Sequence, residues 1–360
     1  MGNSIPGGGG VGGITSATLP TFKGRPGWEF TDISALDVDA YQLSTVHSKL
    51  GPPASDAPGA LWDLPMAQLP AGVDVSVSGE TTVVTVARGV VVDDPIVFTV
   101  VVPDGQLANL RTRVVLEEGA QAAVWEQYLS AGDCVLNVAT ELEVGANARL
   151  RYVCGQGLSE EAWIFGAQRA VIGRDASLDW VALGFGSRSG HVLMETRLAG
   201  EGSEARVTGA YATHGSQHID FDTTQEHAAP NTTSDLAFRG VLQDRSSAVW
   251  KGNIIVDPGA QKTDAFQDSR NLLLSKRAHA DSIPGLEIQA NDVRCTHAAA
   301  IAQVDPEQLF YLRAHGLPEA TAKRLVIEGF LAALVERFES GPVREVLGAA
   351  LERRLALILN

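Results

Sequence analysis

The chain has 360 residues, enough for a large core, and its 43 acidic against 28 basic side chains give a formal net charge of −15. That balance leaves no sequence-wide basic surface for phosphate backbones, so nucleic acid is not expected as a partner. No apolar run approaches the ~20 residues of a spanning helix, and the N-terminus has no basic region followed by an apolar one, so neither membrane insertion nor export is expected. Three scattered cysteines, Cys134, Cys154 and Cys295, fit a reducing cytoplasm better than a disulfide framework.

Residues 1–20 are Gly-rich, with the run Gly7 to Gly10, and carry too few apolar side chains to offset the entropy of ordering. A disordered tail is expected there. Residues 21–72 read as a helical or irregular segment. Trp28 and Phe30 serve as docking aromatics, and Thr31 or Asp32 is placed to cap a short helix. The Pro- and Ala-rich stretch from Leu50 to Ala71 is expected to lie on a surface through Leu61, Trp62 and Leu64.

From Val73 to about residue 303 the texture changes to period-two alternation rich in Val, as in Val73, Val75, Val77, Val84 and Val86. A turn motif recurs at Gly119-Ala120, Gly145-Ala146, Asp175-Ala176 and Gly202-Ser203. Near-regular spacing on that scale is the mark of stacked units, each too small to cover its own apolar face. The spacing favours a parallel β-helix. A β-sandwich would need turn signals every 8–12 residues, and Asp104-Gly105 is the one Asn-Gly or Asp-Gly pair read as such a signal.

Residues 304–360 have a helical period. Asp305-Pro306-Glu307 is a helix start, and His315-Gly316 ends that helix. Pro318-Glu319 starts a second helix, with Leu325, Phe330, Leu331 and Leu334 at helical spacing before Gly341-Pro342. A third carries Val346, Leu347, Leu351, Leu355 and Ile358. These helices either cap one end of the solenoid or present a partner surface.

Two constellations could carry chemistry. Cys295 and His297, two apart on a strand, aim a thiol and an imidazole to one side, whereas a helix would splay them. Such a pair suits zinc or iron–sulfur chemistry but needs further ligands from elsewhere or from another subunit. Otherwise Cys295 is a buried small residue and His297 a hydrogen-bonded one. The second is His214, His218, Asp220, Asp222, Glu226 and His227. On a strand, His218, Asp220 and Asp222 share the face opposite Ile219 and Phe221, as a solvated polar face would, or as the carboxylate groove of a β-helix enzyme acting on polysaccharide, with Asp220, Asp222 and Glu226 as its candidates. No phosphate loop, no Gly-x-Ser-x-Gly elbow and no His-Glu-x-x-His occurs.

Several longer motifs then stand in order: Gln217-His-Ile-Asp220, Glu226-His-Ala-Ala-Pro-Asn-Thr-Thr-Ser234, Lys251-Gly-Asn-Ile-Ile255, Gln261-Lys-Thr-Asp-Ala265, Asn271-Leu-Leu-Leu-Ser275 and Gln308-Leu-Phe-Tyr-Leu-Arg313. Together with Trp28-Glu-Phe-Thr-Asp32 they resemble the SufB/SufD family of iron–sulfur cluster assembly proteins. The resemblance implies a mainly β fold: a right-handed parallel β-helix over 73–303, a helical N-terminal flank and a C-terminal α-helical domain over 304–360. It also implies a non-catalytic scaffold in a cytoplasmic complex. A SufB-like paralogue would pair through the β-helix, and a SufC-like ATPase would bind the C-terminal helices through Leu309, Phe310, Tyr311, Arg313 and Phe330. ATP and Mg would belong to that ATPase alone, and in isolation the chain could form a homodimer. Cys295-Thr-His297 matches the Cys-Ser-His of the SufD branch, while SufB has Leu-Glu-His-Glu on that strand and a cysteine where this chain has Gln267. The residue after His297 is Ala298, where the family often has Gly. By carry-over, His297 and Cys295 help hold a transient cluster shared with SufB, and ATP-driven closure of the partner would expose an otherwise buried Cys295/His297 face.

Overall fold

The alternation from Val73 onward resolves into strands of about ten residues that return to the same place at every turn. In the computed structural model, which describes residues 28–54, 57–65, 68–338 and 342–359, these strands form two parallel sheets. One contains Gln106–Leu116, Cys134–Val144, Trp163–Ile172, Ser189–Leu198, His218–His227, Ser247–Val256 and His279–Ile288. The other contains Ile96–Val102, Gln121–Ser130, Arg149–Gly157, Ser177–Gly184, Glu204–Thr213, Thr233–Leu242, Asp264–Leu273 and Arg294–Gln303. The chain alternates between the sheets and builds a β-solenoid of about eight turns. Parallel, in-register ladders dispose of the sandwich alternative, which would need hairpins. The expected tail over 1–20 lies outside the described residues.

Register turns each lumen position into a column. Leu116, Val144, Ile172, Leu198, His227 and Val256 form one; Val124, Tyr152, Trp180, Val207, Leu236 and Gln267 form another. Every member of both is at most 3 % exposed. Burying a large apolar side chain contributes about 1.5–3 kcal/mol, so these columns dominate the energetics.

The corners are set by residues at positive φ: Gly119, Asn147, Asp175, Gly202, Asn231 and Lys262, at intervals of 28, 28, 27, 29 and 31 residues. Each donates its backbone N–H to the next coil, as in Gly119 N to Ala146 O and Asn147 N to Arg174 O. Behind it sits a small buried residue: Ala120, Ala148, Ala176, Ser203, Thr232 or Thr263. The turn motif read at Gly145-Ala146 is therefore out of phase, and Asn147-Ala148 is the true corner. Asn reaches the left-handed region with a modest penalty, so glycine alone does not mark it.

Both sheets are covered on their outer faces, as parallel sheets tend to be. Over the first sheet lies the segment from Trp28 to Tyr41, whose Trp28, Ile33, Leu36 and Val38 meet Leu107, Val135, Trp163 and Phe165. The helix expected here is a single 3₁₀ turn, Val38–Ala40, capped by Asp37. Asp32 instead caps a tight turn at Ser34 N, at 2.9 Å, and Thr31 is committed to the sheet below. Beyond this cover the same face carries charge in register: Arg113, Glu141, Arg169 and Glu195 alternate in sign up one column. Arg169 meets Glu195 at 2.8 Å, while Arg113 leans across to Glu143 at 2.7 Å and Arg111 to Glu141 at 2.5 Å.

The three C-terminal helices are α1 (Pro306–Ala314), α2 (Glu319–Val335) and α3 (Pro342–Leu359). Asp305 caps α1 as expected, accepting from Glu307 N at 2.8 Å, and Gly316 follows the helix at φ 91°. Neither α2 nor α3 caps the solenoid. Ile327, Leu331 and Leu334 of α2, with Leu347, Leu351, Leu355 and Ile358 of α3, pack with Leu61 and Trp62 on the outer face of the second sheet, against Val153, Val181, Ala210, Ala237 and Leu272. Leu325, expected on that stripe, is 45 % exposed. Arg337 binds Asp235 and Thr208, and Arg354 binds Ala212 O and Gln217 Oε1, so two guanidinium groups fasten the helices to the coil.

The two ends of the solenoid differ. At the N-terminal end, Val73–Ser78 folds back antiparallel on Thr81–Val86, and Lys49–Leu50 pairs antiparallel with Ile96–Val102. At the other end, His279–Ile288 and Arg294–Gln303 are the last strands of their sheets, and neither has a further neighbour among the described residues.

Candidate functional site

Strand Arg294–Gln303 carries Cys295 and His297 on its lumen side. Cys295 continues the column Ala122, Leu150, Leu178, Ala205, Ser234 and Ala265, and His297 follows Gln267 in the column described above. Both therefore face the lumen at the last, uncovered rung of the coil. Cys295 is half-buried against Ile254, Val256, Ala265 and Leu286, and His297 is exposed. The burial expected of this face is that of paired β-helices. On this chain the rung is already open, because α1 buries no residue and the other helices lie on the side of the coil.

Burial, and after it the Asp264 carboxylate, push the Cys295 thiol above the usual range. A metal binding there must displace a proton. Among the described residues, no three histidine, cysteine or acidic side chains come together as a metal site. The thiol and imidazole are the right donor types for iron and sulfide, but they make only part of a ligand set. Beneath them the floor of the opening is polar: Gln267 donates to Gly252 O and Gly285 O, Ser269 meets Ser282 at 3.1 Å, and Tyr211 binds Asn271, which donates to Ser282.

The second constellation lies on the outer face of the first sheet and is not a solvated surface. Asp220 is 2 % exposed, with His191 Nδ1 at 2.9 Å and the Thr31 hydroxyl donating to it at 2.8 Å. Trp28 packs against His191, the rings tilted by 38° with centroids 4.5 Å apart. Asp222 is buried beside Lys251 at 3.2 Å, and Glu226 pairs with Arg197. All three carboxylates proposed for glycan chemistry are thus committed to partners within the fold. The cover that buries the first of them comes from a segment 189 residues earlier, which no local pattern reveals. His214 turns away to Glu160 and Gln217, and His227 is sealed in the lumen. Beside the cluster, His218, Asp32, Phe30, His279 and Asp281 line a groove of about 370 Å³. His218 and His279 were not joined by sequence reasoning, although they stand two rungs apart in one register column.

On α1, Phe310 and Tyr311 are 73 % and 62 % exposed, Leu309 is half-buried, and Arg313 is exposed with Glu319 at 3.4 Å. Phe330 is not part of that surface. It lies on α2 beneath the Arg239 guanidinium, 6.0 Å from the ring centroid, where it helps seat the helix.

Residues 99–330 match the family model described as the SufBD core domain of the SUF system for iron–sulfur cluster assembly. The chain belongs to the SufBD family. An iron–sulfur cluster assembly SufBD family protein of Mycobacterium tuberculosis is 35 % identical over 285 residues, 77 % of this chain and 71 % of that protein. The SufD proteins of Bacillus subtilis and Escherichia coli are 34 % and 26 % identical, covering 67 % and 95 % of this chain and 56 % and 86 % of their own lengths. The matched SufBD core takes in the lumen columns, the open rung and most of α2, so the Cys295/His297 pair falls within it. Among the described residues no helix is long and apolar enough to cross a membrane.

Proposed function

We propose that this chain is a SufD-like, non-catalytic scaffold subunit of a cytoplasmic iron–sulfur cluster assembly complex. The observation that carries the reading is the asymmetry of the solenoid. One end finishes in antiparallel strands of six and two residues, while the other offers two ten-residue edges, one of which carries Cys295 and His297 on its lumen side. Unpaired edges of that length are templates for another chain. A SufB-like paralogue adding its own last rung would continue both sheets, cover the opening and bring the ligands this chain lacks. Without that paralogue, a second copy of this chain would take the same edges.

In this arrangement iron and sulfide are cargo. His297 supplies one nitrogen donor from the lumen face, Cys295 a sulfur once its proton leaves, and the walls of the coil exclude water. The exposed side of α1, with Leu309, Phe310, Tyr311 and Arg313, receives a SufC-like ATPase that alone binds ATP and Mg. Motion of that ATPase reaches the coil through α2 and α3, which Arg337 and Arg354 fasten to the second sheet. The separation of nucleotide chemistry from the scaffold agrees with a chain that has no phosphate loop.

The test is coexpression with SufB-like and SufC-like partners, followed by anaerobic measurement of iron and sulfide. The wild-type complex should carry both; His297→Ala should assemble normally and carry neither. A normal cluster yield from the assembled variant would remove His297 from the site, and failure of the wild-type chain to copurify with either partner would sink the scaffold reading.

A further inference from the structure

Gln267 and His297 are consecutive members of one lumen column whose other members are apolar or aromatic: Val124, Tyr152, Trp180, Val207 and Leu236. Polarity enters that column only in its last two rungs. Gln267 is 0 % exposed, and its side chain crosses the lumen, with Nε2 donating to Gly252 O at 3.3 Å and Gly285 O at 3.2 Å. Both amide hydrogens are therefore occupied. The carboxamide oxygen is buried and has no hydrogen-bond partner. Exchanging the amide ends would set an oxygen against two carbonyl oxygens, so chemistry fixes the orientation and the unpaired acceptor is a property of the site.

The fold makes room for this amide at some cost. A Cβ on Gly252 would stand 2.8 Å from Gln267 Oε1 and 2.2 Å from two ring carbons of Trp250. Two hydroxyls of the opening, Ser269 and Ser282, are engaged with each other. Directly above Gln267 in register stands His297, on a rung about 4.7–4.9 Å away. Rotation about two side-chain bonds, open to an exposed residue on the picosecond to nanosecond scale, sweeps its ring over the rung below.

We infer that Gln267 is a positioning residue for His297: its Oε1 accepts one ring N–H, fixing the proton on that nitrogen and leaving the lone pair of the other facing the opening. Histidines that bind metals generally have their second nitrogen held in this way by an acceptor of the protein. The use of the arrangement rests on the scaffold reading given above. The contact itself belongs to this chain and forms without any cluster.

The experiment is nitrogen NMR on the full chain labelled at its histidine rings, with His297→Ala identifying the signal among the eight histidines. Wild type should show His297 in one tautomer. Gln267→Met, which lacks the carboxamide oxygen, should relax it to the mixture of a free imidazole. Unchanged signals from the other seven rings mark the variants as folded. An identical His297 tautomer in wild type and Gln267→Met would overturn the inference. Cluster yield plays no part in this readout, so a positioned His297 in a complex that builds no cluster would count against the scaffold reading alone.

Discussion

His227 offers a quantitative check on the lumen. It interrupts an otherwise apolar column between Leu198 and Val256, is 0 % exposed, and binds Thr232 Oγ1 at 2.7 Å and Ser234 Oγ at 2.9 Å. Burial lowers its pKa from 6.5 to about 4. The folded chain therefore holds the ring neutral, while the unfolded chain protonates it near its ordinary value. Its contribution is complete above pH 6.5 and is lost as pH falls toward the folded pKa. With those two values, linkage gives a loss of about 1.4 kcal/mol near pH 5.5 and about 2.6 kcal/mol near pH 4.5. Urea unfolding of wild type and His227→Gln at about pH 7, 5.5 and 4.5 isolates this contribution, because all other titrating groups are common to both. The variant should be the less stable near pH 7, and the difference should shrink by ~2.6 kcal/mol by pH 4.5. Two curves that stay parallel would refute the assignment of a neutral, sealed imidazole.

Gly252→Ala should destabilise the chain by about 1–3 kcal/mol through overpacking against Trp250 and Gln267, read as a lower urea midpoint, with the larger effect if the indole cannot shift. Asp220→Ala removes the acceptor that holds Thr31 and sits beside His191; it should cost about 3 kcal/mol, consistent with hydrogen bonds to a charged acceptor. The same change should expose the segment from Trp28 to Ile33 to proteolysis while the solenoid keeps its circular dichroism. Loss of function without that loosening would return Asp220 to the list of chemical groups.

Much of this architecture is written locally. Period-two alternation places the strands, Asp305-Pro306-Glu307 places the start of α1, and the i, i+2 spacing puts Cys295 and His297 on one side. What depends on distant chain is not legible in the same way. The sequence pattern points to Gly145 rather than to the corner at Asn147, because the left-handed position needs a tolerant backbone rather than a particular residue. Asp220 resembles a solvated residue until the N-terminal segment is laid over it. The helical stripes of α2 and α3 announce an apolar face, but only Val153, Val181 and Ala237 on the second sheet say that they pack along its side rather than over its end. The role inferred for Gln267 also needs register, since its neighbour in the column is 30 residues later in the chain.

The alternating charges of Arg113, Glu141, Arg169 and Glu195 give an individually small stabilisation, because exposed ion pairs contribute little. Their order matters more than their strength. All rungs have nearly the same length and similar apolar interiors, so a growing coil could skip a unit and still bury its lumen. Skipping one would set Arg113 against Arg169 or Glu141 against Glu195, like beside like. Out-of-turn stacking would thus add a like-charge penalty on this face to whatever the lumen side chains lose.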